Sequence, residues 1–244
     1  MKRISKNPQP EALLKWKGGN HHNPANLIYK NVPREEIRQA LLMEQHHLCA
    51  YTMKPLKTLQ QCQASLTIAT DTPTVHSCHI EHYMPQSVHA DKAIDYQNML
   101  ACFPAAQRDK GQKNSECPYG AQKKADYDPE KNPFVSPLSA NVEDHFAFKK
   151  NGEVQGVTEA GDATIKVLNL NHPILVNDRK EAIKGALYTK GALCSASELE
   201  RIAVRVMQPD ANHCLTPYCV AIAQVARKVA EQEKRRAQHM KKRS

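Results

Sequence analysis

The chain has 244 residues, of which 41% are hydrophobic and only 5% aromatic, and its formal net charge is +9 at pH 7. This length allows one large domain or two small ones. No segment approaches the roughly 18 apolar residues of a membrane span, and no apolar run follows the charged first residues, as a secretory signal requires. We therefore expect a soluble cytoplasmic protein that has no membrane partner.

The first predicted elements are an arm and a helix. Residues 1–32 are polar and interrupted by prolines and glycines, which predicts an N-terminal arm on the surface. Pro33 then opens a helix that we expect to continue to His47. Residues 54–78 are rich in Gln, Thr and Ser. We interpret them as an insertion with an extended piece at 66–68.

A strand, a loop, a second strand and a helix follow the insertion. Residues 76–81 predict a strand in which His79 and Glu81 share one side, because side chains alternate along a strand. Residues 98–103 predict the second strand, and residues 115–125 a short helix. In this order the three elements make a compact ββα unit.

The C-terminal part is predicted to be mainly helical. Asn151-Gly152 lies between two apolar runs, which predicts a hairpin. Four helices are expected, over 161–170, 173–190, 196–208 and 216–240. The fold class is therefore α+β and mainly helical, with a small ββα core embedded in a helical domain. The expected divisions are 1–32, 33–134 and 135–244.

The positive charge is concentrated at the C-terminus. Residues 227–244 carry a net charge of +6, which leaves +3 for the rest of the chain. Such a tail can bind phosphates without sequence preference. It is equally typical of a solvated helix end, where the helix dipole favours cations. Both interpretations stay open at this point.

Eight cysteines are spread along the chain, and none forms a CxxC pair. The nearest approach is Cys49-Ala50-Tyr51-Thr52, with threonine where a second cysteine would stand. Without export signals, we expect reduced thiols or metal ligands rather than a disulfide framework, and scattered cysteines can still converge in space. The sequence does not support a structural zinc site.

The strongest chemical signal is the run His79-Ile80-Glu81-His82. Hydrolysis of a phosphodiester needs a base that deprotonates water and a cation that stabilises the added negative charge. The imidazole of His82 is a suitable base near neutral pH, and Glu81 can hold a divalent metal. The amide of Asn98, or a backbone oxygen, would then hold the other imidazole nitrogen as a donor.

Two cations lie in the predicted short helix. Lys123 and Lys124 could bind the scissile phosphate or its neighbours. A solvated helix face is the alternative explanation for this pair.

Further phrases occur together with this run in a fixed order. They are Met1–Ile4, Leu48–Tyr51, HIEHYMPQS at 79–87, DYQNMLAC at 95–102, Phe148–Gly152, and Leu168–Asn171 followed by Arg179. Over residues 1–185 the chain thereby resembles the HNH (ββα-metal) endonucleases. More narrowly, it resembles the PtuB-type HNH proteins of Septu and retron-associated antiphage defence systems.

The resemblance implies roles for individual residues. Glu81 matches the metal-binding acid that precedes the HNH histidine, His82 the general base, and Asn98 the central asparagine. His79 is additional to the minimal motif but typical of this subgroup, where it would bind metal or phosphate.

The third HNH position and the family's paired cysteines are incomplete in this chain. The third position is expected in the helix around 117–126, which contains no histidine, so Asn114 and Asp126 are the candidate substitutes. Thr52 and the single Cys117 break the paired-cysteine pattern that often brackets the core in this family.

The implied activity is that of a metal-dependent endonuclease which hydrolyses nucleic-acid phosphodiesters. DNA is the favoured substrate, and RNA is the alternative. Mg²⁺ or Mn²⁺ is the expected cofactor, with Zn²⁺ or Ni²⁺ as alternatives. The implied partner is a PtuA-type ATPase, and we assign residues 135–226 to its docking. Two alternatives stay open, namely a degenerate module that binds nucleic acid or acts as an adaptor, and an effector that cuts RNA such as tRNA.

Overall fold

A computed structural model describes residues 1–56, 78–104 and 117–241. These residues form a mainly helical α+β fold with three antiparallel strand pairs, which confirms the predicted fold class. The helices are α1 (Glu11–Asn20), α2 (Arg34–Glu44), α3 (Ala121–Lys124), α4 (Glu159–Val167), α5 (Pro173–Leu187), α6 (Ala196–Arg205) and α7 (Cys219–Lys241). The strands are β1 (His79–His82), β2 (Met99–Cys102), β3 (Phe146–Phe148), β4 (Val154–Gly156), β5 (Tyr188–Thr189) and β6 (Ala192–Leu193). The extended piece expected at 66–68 lies outside the described residues.

None of the helices in the described ranges is long and apolar enough to cross a membrane.

Residues 1–32 are mostly exposed or half-buried and are anchored to the core at a few positions. They form helix α1 and bury the apolar side chains of Met1, Ile4 and Leu13. Lys6 Nζ lies 2.7 Å from Oε1 of Glu44 and donates to the carbonyl oxygen of Met99 at 3.0 Å. These contacts tie the segment to α2 and β2. The prolines and glycines that suggested an arm lie at the two ends of α1 instead.

Helix α2 begins where Pro33 predicts it but ends earlier than expected. His46 and His47 both adopt the left-handed conformation, with φ of 49° and 60°, which an α-helix cannot contain. The helix therefore stops at Glu44. Its buried face packs on β1 and β2.

Strands β1 and β2 form the predicted antiparallel pair. Glu81 lies opposite Leu100, and His82 opposite Met99. All four residues of β2 are buried, whereas β1 alternates, so that His79 and Glu81 are half-buried on one side as the two-residue period predicts. Helix α3 follows, so the order strand, strand, helix is confirmed.

The C-terminal region follows the prediction with three local differences. The helix expected over 173–190 ends at Leu187, and the strand pair β5–β6, which was not predicted, follows it. The hairpin β3–β4 forms, but Asn151 and Gly152 lie in a five-residue loop rather than a two-residue turn. Helix α7 begins at Cys219 and not at 216, because Tyr218 adopts a left-handed φ of 59°. Its first turns pack against α5 and α6.

The phrase Leu168–Asn171 and the later Arg179 have a structural role. Nε of Arg179 donates to the carbonyl oxygen of Gly152 at 2.6 Å, and Nη2 donates to that of Leu170 at 2.7 Å. Burial lowers the pKa of this guanidinium to about 10. The amide of Asn171 bonds both backbone groups of Val154. Together these bonds fix the β3–β4 hairpin against α5.

The end of α4 also positions the ββα unit. The amide N–H of Gly120 donates to the carbonyl oxygen of Leu168 at 2.8 Å, and Nδ2 of Asn169 donates to that of Pro118 at 2.8 Å. Helix α3 thus starts from a turn that the C-terminal region holds in place.

Gly152 should be the glycine of this region that tolerates substitution least. Its φ is +89°, and a Cβ there would collide with the carbonyl oxygen of Val176 and lie 2.8 Å from Lys180 N. Gly191 has a similar φ of +81° but open space around it. We expect Gly191→Ala to cost about 1 kcal/mol through backbone conformation alone, and Gly152→Ala at least about 3 kcal/mol through the added collision. Urea unfolding measures both, and equal losses would contradict the described hairpin packing.

Candidate active site

The backbone of the β1–β2 loop holds His82 in one tautomer. Nε2 of the imidazole donates to the carbonyl oxygen of Ala93 at 2.9 Å, so Nδ1 carries the lone pair. Burial is the main reason that the pKa of His82 lies below its ordinary value, and Lys124 lowers it further, against the opposing effects of Ala93 and Glu81. The imidazole is therefore neutral near pH 7 and can accept a proton at Nδ1.

Gln86 covers the basic nitrogen of His82. Its amide Nε2 lies 2.7 Å from Nδ1 of His82 and 3.2 Å from Nε2. The ring of Tyr29 meets the same imidazole edge-on, with 4.6 Å between the ring centres. A water that His82 activates must take the place of the Gln86 amide, so this side chain controls access to the base.

Asn98 organises the loop rather than the imidazole itself. Its Oδ1 accepts from Met84 N at 2.7 Å, and its Nδ2 donates to the carbonyl oxygens of Met84 at 3.0 Å and Lys92 at 3.2 Å. The expectation that its amide holds His82 is therefore wrong. The stated alternative, a backbone oxygen, applies, since Ala93 supplies it. Asn98 acts through the loop, because it fixes the residue next to Ala93.

The carboxylate of Glu81 faces one group on each oxygen. Its Oε1 lies 3.1 Å from Nζ of Lys124, and its Oε2 lies 3.8 Å from Nε2 of His79. Oε1 is buried and has no aligned hydrogen-bond donor, so Lys124 compensates its charge without bonding to it. The Lys124 ammonium instead donates to the carbonyl oxygen of His82 at 3.0 Å.

His79 is oriented as a metal-binding histidine would be. Its Nδ1 donates to the carbonyl oxygen of Pro104 at 2.6 Å, which leaves Nε2 to face Glu81. Burial lowers the pKa of His79, but Glu81 and Pro104 outweigh it and raise the pKa above its ordinary value. Nε2 of His79 and Oε2 of Glu81 thus fit a cation that takes its remaining ligands from water or phosphate.

Helix α3 presents a lysine where the third ligand was expected. Lys124 has a fully buried side chain and lies against Glu81. Asp126 instead accepts a hydrogen bond from Oγ of Ser87 at 2.6 Å, and Asn114 lies outside the described residues. The prediction that Lys124 binds phosphate needs an exposed ammonium and is wrong for this structure. Lys123 is exposed and stays a candidate.

The two degenerate cysteine phrases lie side by side. A Cβ on Gly120, three residues after Cys117, would lie 3.3 Å from Cγ2 of Thr52, three residues after Cys49. Across the described part of the chain, no group of three possible ligands contains a cysteine.

Sequence reasoning missed a group of three side chains outside the motif. Nε2 of His89 lies 3.0 Å from Oδ1 of Asp128 and 3.7 Å from Oε2 of Glu130. The three ligand atoms all lie within 4.8 Å of one another. Residue type was the only signal in the sequence, because 39 positions separate His89 from Asp128.

A further cation near the base was also missed. The guanidinium of Arg34 lies 5.1 Å from the ring centre of Tyr29, whose edge contacts His82. The Nε of Arg34 is buried and has no hydrogen-bond partner within the described part of the chain. No motif marks this residue, since it lies at the start of α2, far from β1 in sequence.

Comparison with known proteins adds no family to this description. No protein-family model matches the chain, and no curated protein matches it. The resemblance to PtuB-type HNH proteins stays a prediction from the motifs.

The buried ammonium of Lys124 should contribute strongly to stability. Lys124→Met removes the cation next to the nearly buried carboxylate of Glu81. This should lower the free energy of unfolding by about 3 kcal/mol or more. Lys123→Met is the matched control, because its neighbouring side chain is exposed and should change stability by less than about 0.5 kcal/mol. Adding Glu81→Gln to Lys124→Met should recover part of the loss. Urea unfolding of the wild type, Lys124→Met, Glu81→Gln and the double variant gives the coupling free energy between the two charges. Equal effects of the substitutions at positions 123 and 124 would contradict the ion pair.

Removal of the Gln86 amide should make His82 more reactive. Gln86→Ala removes the amide next to Nδ1 of His82. Diethyl pyrocarbonate should therefore modify His82 several-fold faster at pH 7. Mass spectrometry of the peptide that contains His82 measures this rate. Modification should fall as the pH drops, with a midpoint below the ordinary histidine pKa, because only the neutral imidazole reacts. Gln155→Ala, on an exposed position of β4, is the control. An unchanged rate in Gln86→Ala would show that Gln86 does not cover the base.

Proposed function

We propose that this chain is an HNH-type endonuclease that hydrolyses nucleic-acid phosphodiesters, with DNA the favoured substrate. We further propose that it acts as the nuclease subunit of an antiphage defence complex with a PtuA-type ATPase. The observation that carries the proposed chemistry is the state of His82. Its Nε2 is bound to the Ala93 carbonyl, its Nδ1 is basic, and it lies beside the His79–Glu81 pair at the end of β1.

In this mechanism His82 is the general base. Once the Gln86 amide has moved aside, a water next to Nδ1 gives its proton to the imidazole as its oxygen attacks phosphorus. The bond between phosphorus and the leaving oxygen breaks, and that oxygen takes up a proton. The Ala93 carbonyl stabilises the imidazolium that results, because it already accepts from Nε2.

The developing negative charge needs a nearby positive charge. His79 and Glu81 would hold a divalent metal through Nε2 and Oε2, and the bound ion would supply Lewis-acid stabilisation of the phosphate. One oxygen and one imidazole ligand suit Mg²⁺ or Mn²⁺ and are also compatible with Zn²⁺ or Ni²⁺. Lys124 adds a fixed positive charge to the same carboxylate.

Nucleic acid would contact exposed cations. Lys123 is exposed next to the site, and the half-buried Arg34 lies near Tyr29. The part of α7 beyond Ala230 is mostly exposed and carries Lys234, Arg235 and Arg236. Exposed cations such as Lys123 and those of α7 support binding to the phosphate backbone without sequence preference.

Lys124 favours a second candidate function, that of a module which binds nucleic acid or a partner but does not cut. A lysine from α3 lies where an HNH helix ligand was expected, and its charge competes with a metal at Glu81. The two candidates make opposite predictions for purified protein.

Nicking of plasmid DNA in Mg²⁺ or Mn²⁺ should depend on His82. We expect His82→Ala to lower the rate at least about 100-fold, the usual contribution of a general base. His22→Ala, at an exposed position, is the matched control and should keep full activity. Unfolding measurements must show that both variants are folded. Equal cutting by His82→Ala would contradict the assigned base.

Substrate and partner dependence belong to the same assay. The chain is tested alone and with the ATPase, on plasmid DNA and on tRNA. Cutting of tRNA without cutting of plasmid DNA would favour the RNA effector. Nucleic-acid binding with no cutting in any combination would establish the degenerate module.

A further inference from the structure

We propose that His89, Asp128 and Glu130 form a second divalent-cation site, built from other residues than the His79–Glu81 pair. The site would take a Mn²⁺- or Zn²⁺-like ion and would stabilise the loop that orients His82. It does not require that the chain is a nuclease.

The spacing of the three ligand atoms fits a shared ion. Nε2 of His89 lies 3.0 Å from Oδ1 of Asp128 and 3.7 Å from Oε2 of Glu130. With ligand bonds of about 2.1 Å, two ligand atoms lie roughly 3.0 Å apart at a right angle and about 3.4 Å apart at a tetrahedral angle. An ion between these atoms therefore needs only small side-chain movements. Because the ion would take the lone pair of Nε2, the hydrogen that His89 now donates to Asp128 would move to Nδ1.

Asp128 supplies an independent indication of a ligand. Its side chain is only 8% exposed, and Oδ2 is buried and has no hydrogen-bond donor among the described residues. Nζ of Lys131 lies 3.7 Å from it, on a side chain that is 70% exposed. A buried acceptor without a donor is unfavourable unless something binds it. A metal ion that Asp128 binds through both carboxylate oxygens would satisfy it.

The backbone already fixes the ligand positions. Oδ1 of Asp128 accepts from Glu130 N at 3.1 Å, and the Asp128 carbonyl accepts from Nδ2 of Asn132 at 3.1 Å. On the other side, His89 N donates to the carbonyl oxygen of Pro85 at 2.8 Å. The site is thus largely preformed, which lowers the entropic cost of binding.

The ion would join two parts of the ββα unit. His89 belongs to the β1–β2 loop, and Asp128 and Glu130 follow α3. A hydrogen bond from Ser87 to Asp126 already bridges the same segments at 2.6 Å. The backbone carbonyl oxygen of His89 also accepts from Lys92 N at 3.0 Å. Lys92 directly precedes Ala93, whose carbonyl holds His82. The cation is therefore well placed to stabilise the tautomer of the base.

The ligand set indicates the class of metal. One imidazole nitrogen and two carboxylate oxygens suit Mn²⁺, Zn²⁺ and related ions better than thiol-preferring ions. The two carboxylates and one neutral imidazole would balance the charge of a divalent ion.

The experiment uses the full chain after treatment with EDTA, without nucleic acid. Isothermal titration with MnCl₂ and with ZnCl₂ measures affinity, and the melting temperature is recorded with and without each ion. We expect Asp128→Asn to weaken the binding at this site at least tenfold and to remove most of the metal-dependent rise in melting temperature. Glu130→Gln should do the same to a smaller degree.

Two controls separate this site from other carboxylates and histidines. Glu36→Gln, at an exposed position of α2, should leave the Asp128-dependent binding unchanged. A His21→Ala/His22→Ala double variant, which removes an exposed histidine pair, should also leave it unchanged. Identical titrations for wild type and Asp128→Asn, or no binding by wild type at 1 mM metal (roughly the upper end of useful affinity), would overturn the proposal. Because cleavage is not measured, failure of the nuclease assay leaves this result unaffected, and failure here leaves the role of His82 untouched.

Discussion

The contact on which the site depends is that of the buried Lys124 ammonium with the end of β1. Its Nζ lies between the carboxylate of Glu81 and the carbonyl oxygen of His82 and thereby fastens α3 to the strand that carries the base. A buried cation is costly unless its partners are close and oriented. Both partners come from adjacent residues of one strand, so a shift of β1 by one position would leave the charge uncompensated. The ion pair therefore helps to fix the register of the ββα unit.

The loop between β1 and β2 fixes the tautomer of His82. Asn98 bonds the backbone on both sides of the loop, at Met84 and at Lys92, and the carbonyl of Ala93 then meets Nε2 of His82. The histidine has no choice of tautomer as long as that carbonyl stays in place. An amide at position 98 is needed because the role requires an acceptor and two donors in one short side chain.

The sequence allowed the order of elements to be predicted, because each depends on local patterns. The alternation of His79 and Glu81, the hairpin at Asn151-Gly152 and the four C-terminal helices all follow from periodicity or turn chemistry over a few residues. Long-range contacts were not predictable in this way. Two lysines adjacent in sequence have opposite environments, and only the position of α3 against β1 buries Lys124 and exposes Lys123. The anchors of residues 1–32 in α2 and β2 were not predictable for the same reason, since they are distant in sequence.

The charges around Glu81 decide how a divalent ion could bind there. One oxygen of Glu81 lies 3.1 Å from the Lys124 ammonium, which already compensates its negative charge, and the other faces His79. An ion at this carboxylate would have to tolerate Lys124 a few ångströms away. Such an ion binds most easily when phosphate supplies further negative charge, because the phosphate then offsets the repulsion from the lysine. Under the proposed function, metal and nucleic acid are consequently expected to bind cooperatively. The His89–Asp128–Glu130 group is instead expected to bind metal without substrate, because the cation that pairs with Asp128 among the described residues is the exposed Lys131.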